Sequence, residues 1–298
     1  TPVFIGQGSV EAITGSGVVT ITGSGFVAAS SSGMTFNMGE GAWFDVQSGD
    51  IQFGWTHAAF ATNVGSLRVA GGASYHNSDA DFHFDSLVGS GVIGNSYNGT
   101  VTLTIGANNN SNSAVYGVAG NTAEFSGSIK DHESYNTVIT GNLNLTKTGT
   151  GTQILTGAST YVGTTAVNCG TLGLTGDVAR LMSPVVTVAT NAALWFGPAA
   201  EIRDYIPANA ALSLDASGGL FGRVILDCDA VAGSLALGGA PQPGGTYGST
   251  ASAAAYQDDN YFGGTGMLIV PVGIVKENNA DNLNLGTSWV GGVVPSNT

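Results

Sequence analysis

The chain has 298 residues, with 47 Gly, 43% hydrophobic residues and only 9% charged ones. A disordered chain needs the reverse balance, and repeated amphipathic helices need a charged outer stripe that 7 Lys and Arg cannot supply. The formal net charge of −13 argues against nucleic acid as a partner and against an anionic bilayer surface, because both are bound through clustered basic residues.

The opening residues Thr1-Pro2-Val3-Phe4 lack the charged-then-apolar pattern of a signal peptide. No apolar run reaches the ~18 residues of a membrane helix, so direct membrane insertion of this segment is not expected. If the protein is exported, this sequence is a processed piece. Two near-copies follow, Ile13-Thr14-Gly15-Ser16-Gly17-Val18 and Ile21-Thr22-Gly23-Ser24-Gly25-Phe26, with a third at Leu87-Val88-Gly89-Ser90-Gly91-Val92. Weaker echoes are Phe125-Ser126-Gly127-Ser128-Ile129 and Lys147-Thr148-Gly149-Thr150-Gly151. A recurring strand-turn unit is the mark of a repeat architecture, here with irregular spacing.

Between these turns the pattern alternates. Val101, Leu103 and Ile105 interleave with Thr100, Thr102 and Thr104, and Leu143 and Leu145 with Asn142, Asn144 and Thr146. Val167, Cys169, Leu172 and Leu174 continue the pattern. Each such segment reads as a strand with one buried and one polar face. Single helical turns are predicted over 177–182 and 198–205, the second halted near Pro207. Residues 238–255 read as a loop or long hairpin connection, and Met267-Leu268-Ile269-Val270 as a last strand. The predicted fold is all-β: a β-solenoid of coils over 1–175 with an appended hairpin or sandwich-like C-terminal β part over 176–275. Residues 276–298 read as a linker or the start of a further unit.

The stretch from Leu145 through Thr148-Gly149-Thr150-Gly151, Leu155-Thr156-Gly157 and Thr160-Tyr161 to Gly170-Thr171-Leu172 resembles the autotransporter-associated β-strand repeat, which places a repeat at 143–174. It departs from the family pattern by one missing Gly near Gly163 and by Cys169 where Ala is usual. The resemblance implies a right-handed β-helix in a passenger region that is exported across the outer membrane and displayed or released. It also implies a stalk, an adhesin or a carrier of enzyme domains, with a translocating barrel encoded elsewhere and no catalytic residue in the repeat. The expected location is the exterior or outer-membrane surface of a Gram-negative-type bacterium, and host glycans or glycoproteins are the candidate partners.

Several clusters carry a functional reading beside a structural one. In His76-Asn77-Ser78-Asp79-Ala80-Asp81-Phe82-His83-Phe84-Asp85, the residues Asp81, His83 and Asp85 share a parity that could present ligands to a metal. The alternative, which we favour, is a solvated loop entering a strand with Phe82 and Phe84 in the core. Asp227 and Asp229 are expected on an outer face opposite Cys228, and Asp258-Asp259 in a turn. Asp215-Ala216-Ser217-Gly218 is the nearest approach to an aspartic-peptidase loop, with one residue too many and no second copy; Ser48-Gly49-Asp50 runs in the reverse order. Gly15-Ser16-Gly17 mimics a serine-hydrolase motif only through composition, and His57, His76, His83 and His132 form no triad pattern. Trp43, Phe44, Phe53 and Trp55 could form a sugar site, although core packing explains them better. Cys169 and Cys228 fall on inward parities, and either a disulfide or two separate thiols fits that placement. The leading functional expectation is a structural or adhesive passenger segment, ahead of a carboxylate-dependent hydrolase acting on glycoproteins such as mucin and of a carbohydrate-binding module. No catalytic set is assigned, and no cofactor or metal is expected.

Overall fold

The computed structural model describes residues 3–5, 12–23, 26–29, 35–53, 60, 62–77, 80–96, 98–111, 116–118, 120–131 and 140–272. Among these residues the regular structure is β: three mainly parallel sheets of ten, eight and six strands, a four-stranded sheet and two separate strand pairs. The chain visits the three large sheets in rotation. Ser66–Val69 lies in the ten-stranded sheet, Ser74–Asn77 in the six-stranded sheet and Phe82–Phe84 in the eight-stranded sheet. Leu87–Gly89, Val92–Asn95 and Val101–Ile105 then repeat the same order. Such a path stacks coils, and the coils form a β-solenoid.

Coil length varies while register is kept. Thr152 pairs with Thr171 on the next coil, whereas Val224 pairs with the more distant Phe262. Extra residues are looped out at the corners, so the inward parity of each strand is preserved. The ten-stranded ladder runs on past residue 175, from Gly170–Leu174 to Ala192–Phe196, then Arg223–Leu226 and Phe262–Gly264. Antiparallel pairings are added late, at Ala216–Ser217 with Leu220–Phe221, at Ser234–Leu237 with Ala240–Pro241, and at Gly245–Gly248 with Leu268–Val270. The stretch 238–255 is therefore partly strand rather than loop.

The alternating segments bury alternate residues, as in the run Val101, Leu103 and Ile105 facing in with Thr102 and Thr104 outside. Inward files continue from coil to coil: Phe84, Ile105, Lys147, Val167, Val188 and Leu214 stack in register along the eight-stranded sheet. The early coils hold an aromatic interior in which Phe36 stacks on Phe60 at 4.9 Å and meets Phe84 edge-on at 5.5 Å. Later coils are mainly aliphatic.

Two expectations are corrected. Residues 177–182 and 198–205 form no helical turn; they are coil corners that make the parallel bridges Ala158–Arg180 and Arg203–Ala230. Ala179, Leu181 and Ser183 are buried while Arg180 and Met182 are exposed, a period of two that a helix cannot produce.

Glycines occupy the coil corners for a spacing reason. A Cβ on Gly91 would lie 2.4 Å from the Ala70 carbonyl oxygen, one on Gly127 2.0 Å from that of Gly91, and one on Gly157 1.9 Å from that of Gly127. Three successive corners thus nest backbone on backbone, which only residues lacking a Cβ permit.

Candidate functional site on the outer faces

Outward residues of the ten-stranded sheet build two local sites. In the first, Trp43, Asp45, Arg68 and Val88 project from neighbouring strands, and the segment around Tyr116 lies across them. Tyr116 donates its hydroxyl to Asp45 Oδ2 at 2.6 Å, Arg68 donates to Asp45 Oδ1 at 2.6 Å, and Gln47 adds a 2.9 Å bond. Arg68 also sits 5.0 Å from the Tyr116 ring centre, and Trp43 meets that ring edge-on at 4.8 Å. Burial acts to raise the Asp45 pKa, but the bonds from Tyr116, Gln47 and Arg68 outweigh it and leave the carboxyl below its ordinary value. Burial and the Asp45 hydrogen bond push Tyr116 up to about 12. The arrangement straps a loop onto the stack and leaves Trp43 fully buried, so its indole offers no surface to a sugar. Phe44 faces the main core, while the Phe53 side chain and Trp55 lie outside the described residues.

The second site lies further along the same sheet. Trp195 projects outward between Gly173 and Ile225, and its Nε1 donates to Asp227 Oδ2 at 2.8 Å. Beside it a cleft of about 370 Å³ is lined by Glu201, Asp227, Asp229 and Thr265 among others. Asp227 and Asp229 thus flank inward-facing Cys228 as the parity predicts, and Asp229 accepts the amide of Met267 at 2.8 Å.

The remaining candidates separate. Asp81 accepts the amide of Thr102, and Asp85 is fully buried, accepting the amides of Asn108 and Asn110 to hold a turn. Phe82 and Phe84 are in the core, and His83 is partly exposed, with its pKa lowered by burial against the opposing charge of Asp81. Among the described residues no three His, Cys, Asp or Glu side chains gather to hold a metal. Asp79, His57 and His132 lie outside the described residues. His76 is buried with Nε2 2.9 Å from Asp50, which also accepts the Ser74 hydroxyl at 3.1 Å. Asp215 precedes a tight hairpin whose Gly218 and Gly219 have φ of 60° and 80°, so the peptidase-like run is turn chemistry. Gly15-Ser16-Gly17 is likewise a corner between strands Ala12–Gly15 and Val18–Ile21. Asp258 and Asp259 sit in a turn, with Asp259 binding the backbone and hydroxyl of Thr250. Cys169 and Cys228 are free thiols, partly exposed and buried respectively.

Two interior polar side chains were not anticipated from sequence. Lys147 is fully buried between Ile105 and Val167, and its Nζ donates to the carbonyls of Thr148 at 2.5 Å, Gly149 at 2.9 Å and Cys169 at 3.4 Å. Three donors thus meet three acceptors, while burial lowers its pKa to about 8 against the opposing effects of Cys169 and Asp85. Gln153, also fully buried, bonds both the amide and the carbonyl of Leu87 at 3.0 Å. Extending the Leu143, Leu145 alternation by two residues would have found Lys147. The only signal for Gln153 is its place before Leu155 on the inward parity.

Parallel coils around a mainly apolar interior, with hydroxyl-rich outer faces, define the chain as a β-solenoid protein. Residues 145–174 match the family described as the passenger-associated transport repeat, so the chain carries an autotransporter passenger repeat. A stretch of 42 residues, 14% of this chain, is 52% identical to the adhesin BmaC autotransporter of Brucella suis biovar 1 (strain 1330). That match spans 1% of the relative's length. No solved structure matches the chain.

Proposed function

We propose that this chain is an extracellular segment of an autotransporter passenger on a Gram-negative bacterium, serving as an elongated adhesive scaffold. The observation that carries the reading is the uninterrupted parallel ladder from Val18–Ile21 to Phe262–Gly264, with the passenger repeat inside it. Stacked coils make a rod whose outer faces repeat from rung to rung, which suits presentation at a distance from the membrane. The net charge of −13 favours neutral or basic partners on the host side, such as glycoproteins, and disfavours nucleic acid.

The test is to fuse the chain to an autotransporter barrel and display it on a laboratory Gram-negative host. Expected results are labelling of intact cells by an antibody to the chain and increased attachment to epithelial monolayers. Normal surface labelling without any gain in attachment would remove the adhesive role and leave the scaffold. Retention inside the cell would remove both.

A further inference from the structure

The outer surface of the ten-stranded sheet carries an aromatic feature that the strapped Trp43 site does not. Ile154, Gly173, Trp195 and Ile225 follow one another in register on four successive strands, all facing out. A Cβ built on Gly173 would sit 2.7 Å from Cε3 and 3.4 Å from Cζ3 of the Trp195 indole. The ring therefore lies down over the glycine, as only a residue without a side chain allows, and Gly173 is buried beneath it. The hydrogen bond from Nε1 to Asp227 fixes the ring from its edge, and Trp195 stays partly exposed. Ile154 and Ile225, also partly exposed, extend the apolar surface on either side.

The geometry points to a carbohydrate-binding platform on this face, with Trp195 stacking against a pyranose ring and Asp227 and the adjoining cleft receiving its hydroxyls. A flat indole presents a negative π-face that attracts the C–H groups of a sugar. Glu201, Asp227 and Asp229 around the cleft accept hydrogen bonds, and Thr265 both donates and accepts. Two of the arginines nearby are held in other bonds. Arg223 donates to the carbonyls of Asp259 and Phe262, and Arg203 pairs with Asp177. The residues lining the cleft include three carboxylates and no Lys or Arg, which selects a neutral glycan and disfavours sialylated or sulfated ones. This inference rests on the adhesive reading and names its ligand class.

The test is affinity electrophoresis of the purified chain through gels containing amylose, galactomannan or a mixed-linkage β-glucan, with heparin as an anionic control. A desialylated glycoprotein bearing neutral N-glycans is titrated in parallel, to separate a host glycan from a free polysaccharide. The expected result is retardation or binding by at least one neutral probe, weakened at least ten-fold by Trp195→Ala. Ile225→Arg leaves the indole in place but overhangs it, and should weaken binding similarly with an unchanged far-ultraviolet spectrum. Binding to no neutral probe, binding to heparin alone, or binding indifferent to both substitutions would overturn the platform. If displayed cells still attach to glycosidase-treated monolayers, the adhesive role survives while this ligand class falls.

Discussion

Replacing Gln153 by Leu tests whether one side chain substitutes for a missing piece of ladder. Strand Leu87–Gly89 meets the next coil, Thr122–Phe125, through the single registered pair Gly89–Phe125. Leu87 is fully buried, and its amide and carbonyl bind the Gln153 carboxamide, which reaches across Ala123 from one coil further on. A primary amide offers a donor and an acceptor side by side, as a facing peptide unit would. Leu has nearly the same volume but neither group, so both Leu87 groups lose a partner at a buried position. Each such loss costs about 1–3 kcal/mol, so the two cost about 4 kcal/mol at mid-range, and the added apolar surface returns about 1–2 kcal/mol, leaving a net destabilisation of roughly 2–3 kcal/mol. Urea unfolding gives the total, and hydrogen exchange at the Leu87 amide locates it, since cooperativity can fail along a stack of repeats. Gln153→Glu keeps an acceptor but buries a carboxylate whose pKa must rise. It should be less stable than Gln153→Leu at neutral pH and recover as acidification restores a donor. A Gln153→Leu protein within about 0.5 kcal/mol of the parent, with Leu87 still protected, would refute the reasoning.

Lys147 makes stability depend on alkaline pH. Its folded pKa of about 8 lies below the ordinary 10.5, so between those values the unfolded chain holds more protons and stability rises with pH. The gain is about 2 kcal/mol between pH 7 and pH 9.5, measured by urea midpoint, and Lys147→Met should abolish it. Gly157→Ala drives a Cβ to 1.9 Å from the Gly127 carbonyl oxygen and should cost about 3 kcal/mol. Gly41→Ala, at φ 74° with open space around it, should cost only about 1 kcal/mol; equal thermal shifts for the two would deny the nested corners. Tyr116→Phe removes the 2.6 Å bond to Asp45 and should cost about 1–2 kcal/mol at neutral pH. Because the Asp45 pKa is lowered, the stability that its bonds supply is present above the ordinary carboxylate range and is lost as pH falls through the folded value. The gap between Tyr116→Phe and parent should accordingly narrow in acid, as read by thermal denaturation.

Strand positions were legible because a period of two and glycine punctuation are local properties of the chain. Val101–Ile105, Leu143–Lys147 and Leu268–Val270 lie where alternation places them, and Phe82 and Phe84 face the core as their parity requires. The passenger repeat was legible for the same reason, being a compact run of about thirty residues. The corners at 177–182 and 198–205 read as helix in sequence because Ala, Arg, Leu and Met in the first and Ala, Glu and Arg in the second favour it locally, while the neighbouring coils dictate an extended bridge.

Composition and alternation by themselves determined that this chain is all-β, coiled and poor in charge. Only the tertiary structure decided which polar residues go inside. Lys147 and Gln153 occupy inward files, and Trp43 is sealed while Trp195 remains partly open. The reason is physical: whether a side chain is covered depends on what the adjacent coil or a distant loop brings to it. Tyr116 covers Trp43 from a distant part of the chain, whereas Gly173 lies beneath Trp195 and leaves the outer side of its ring partly open.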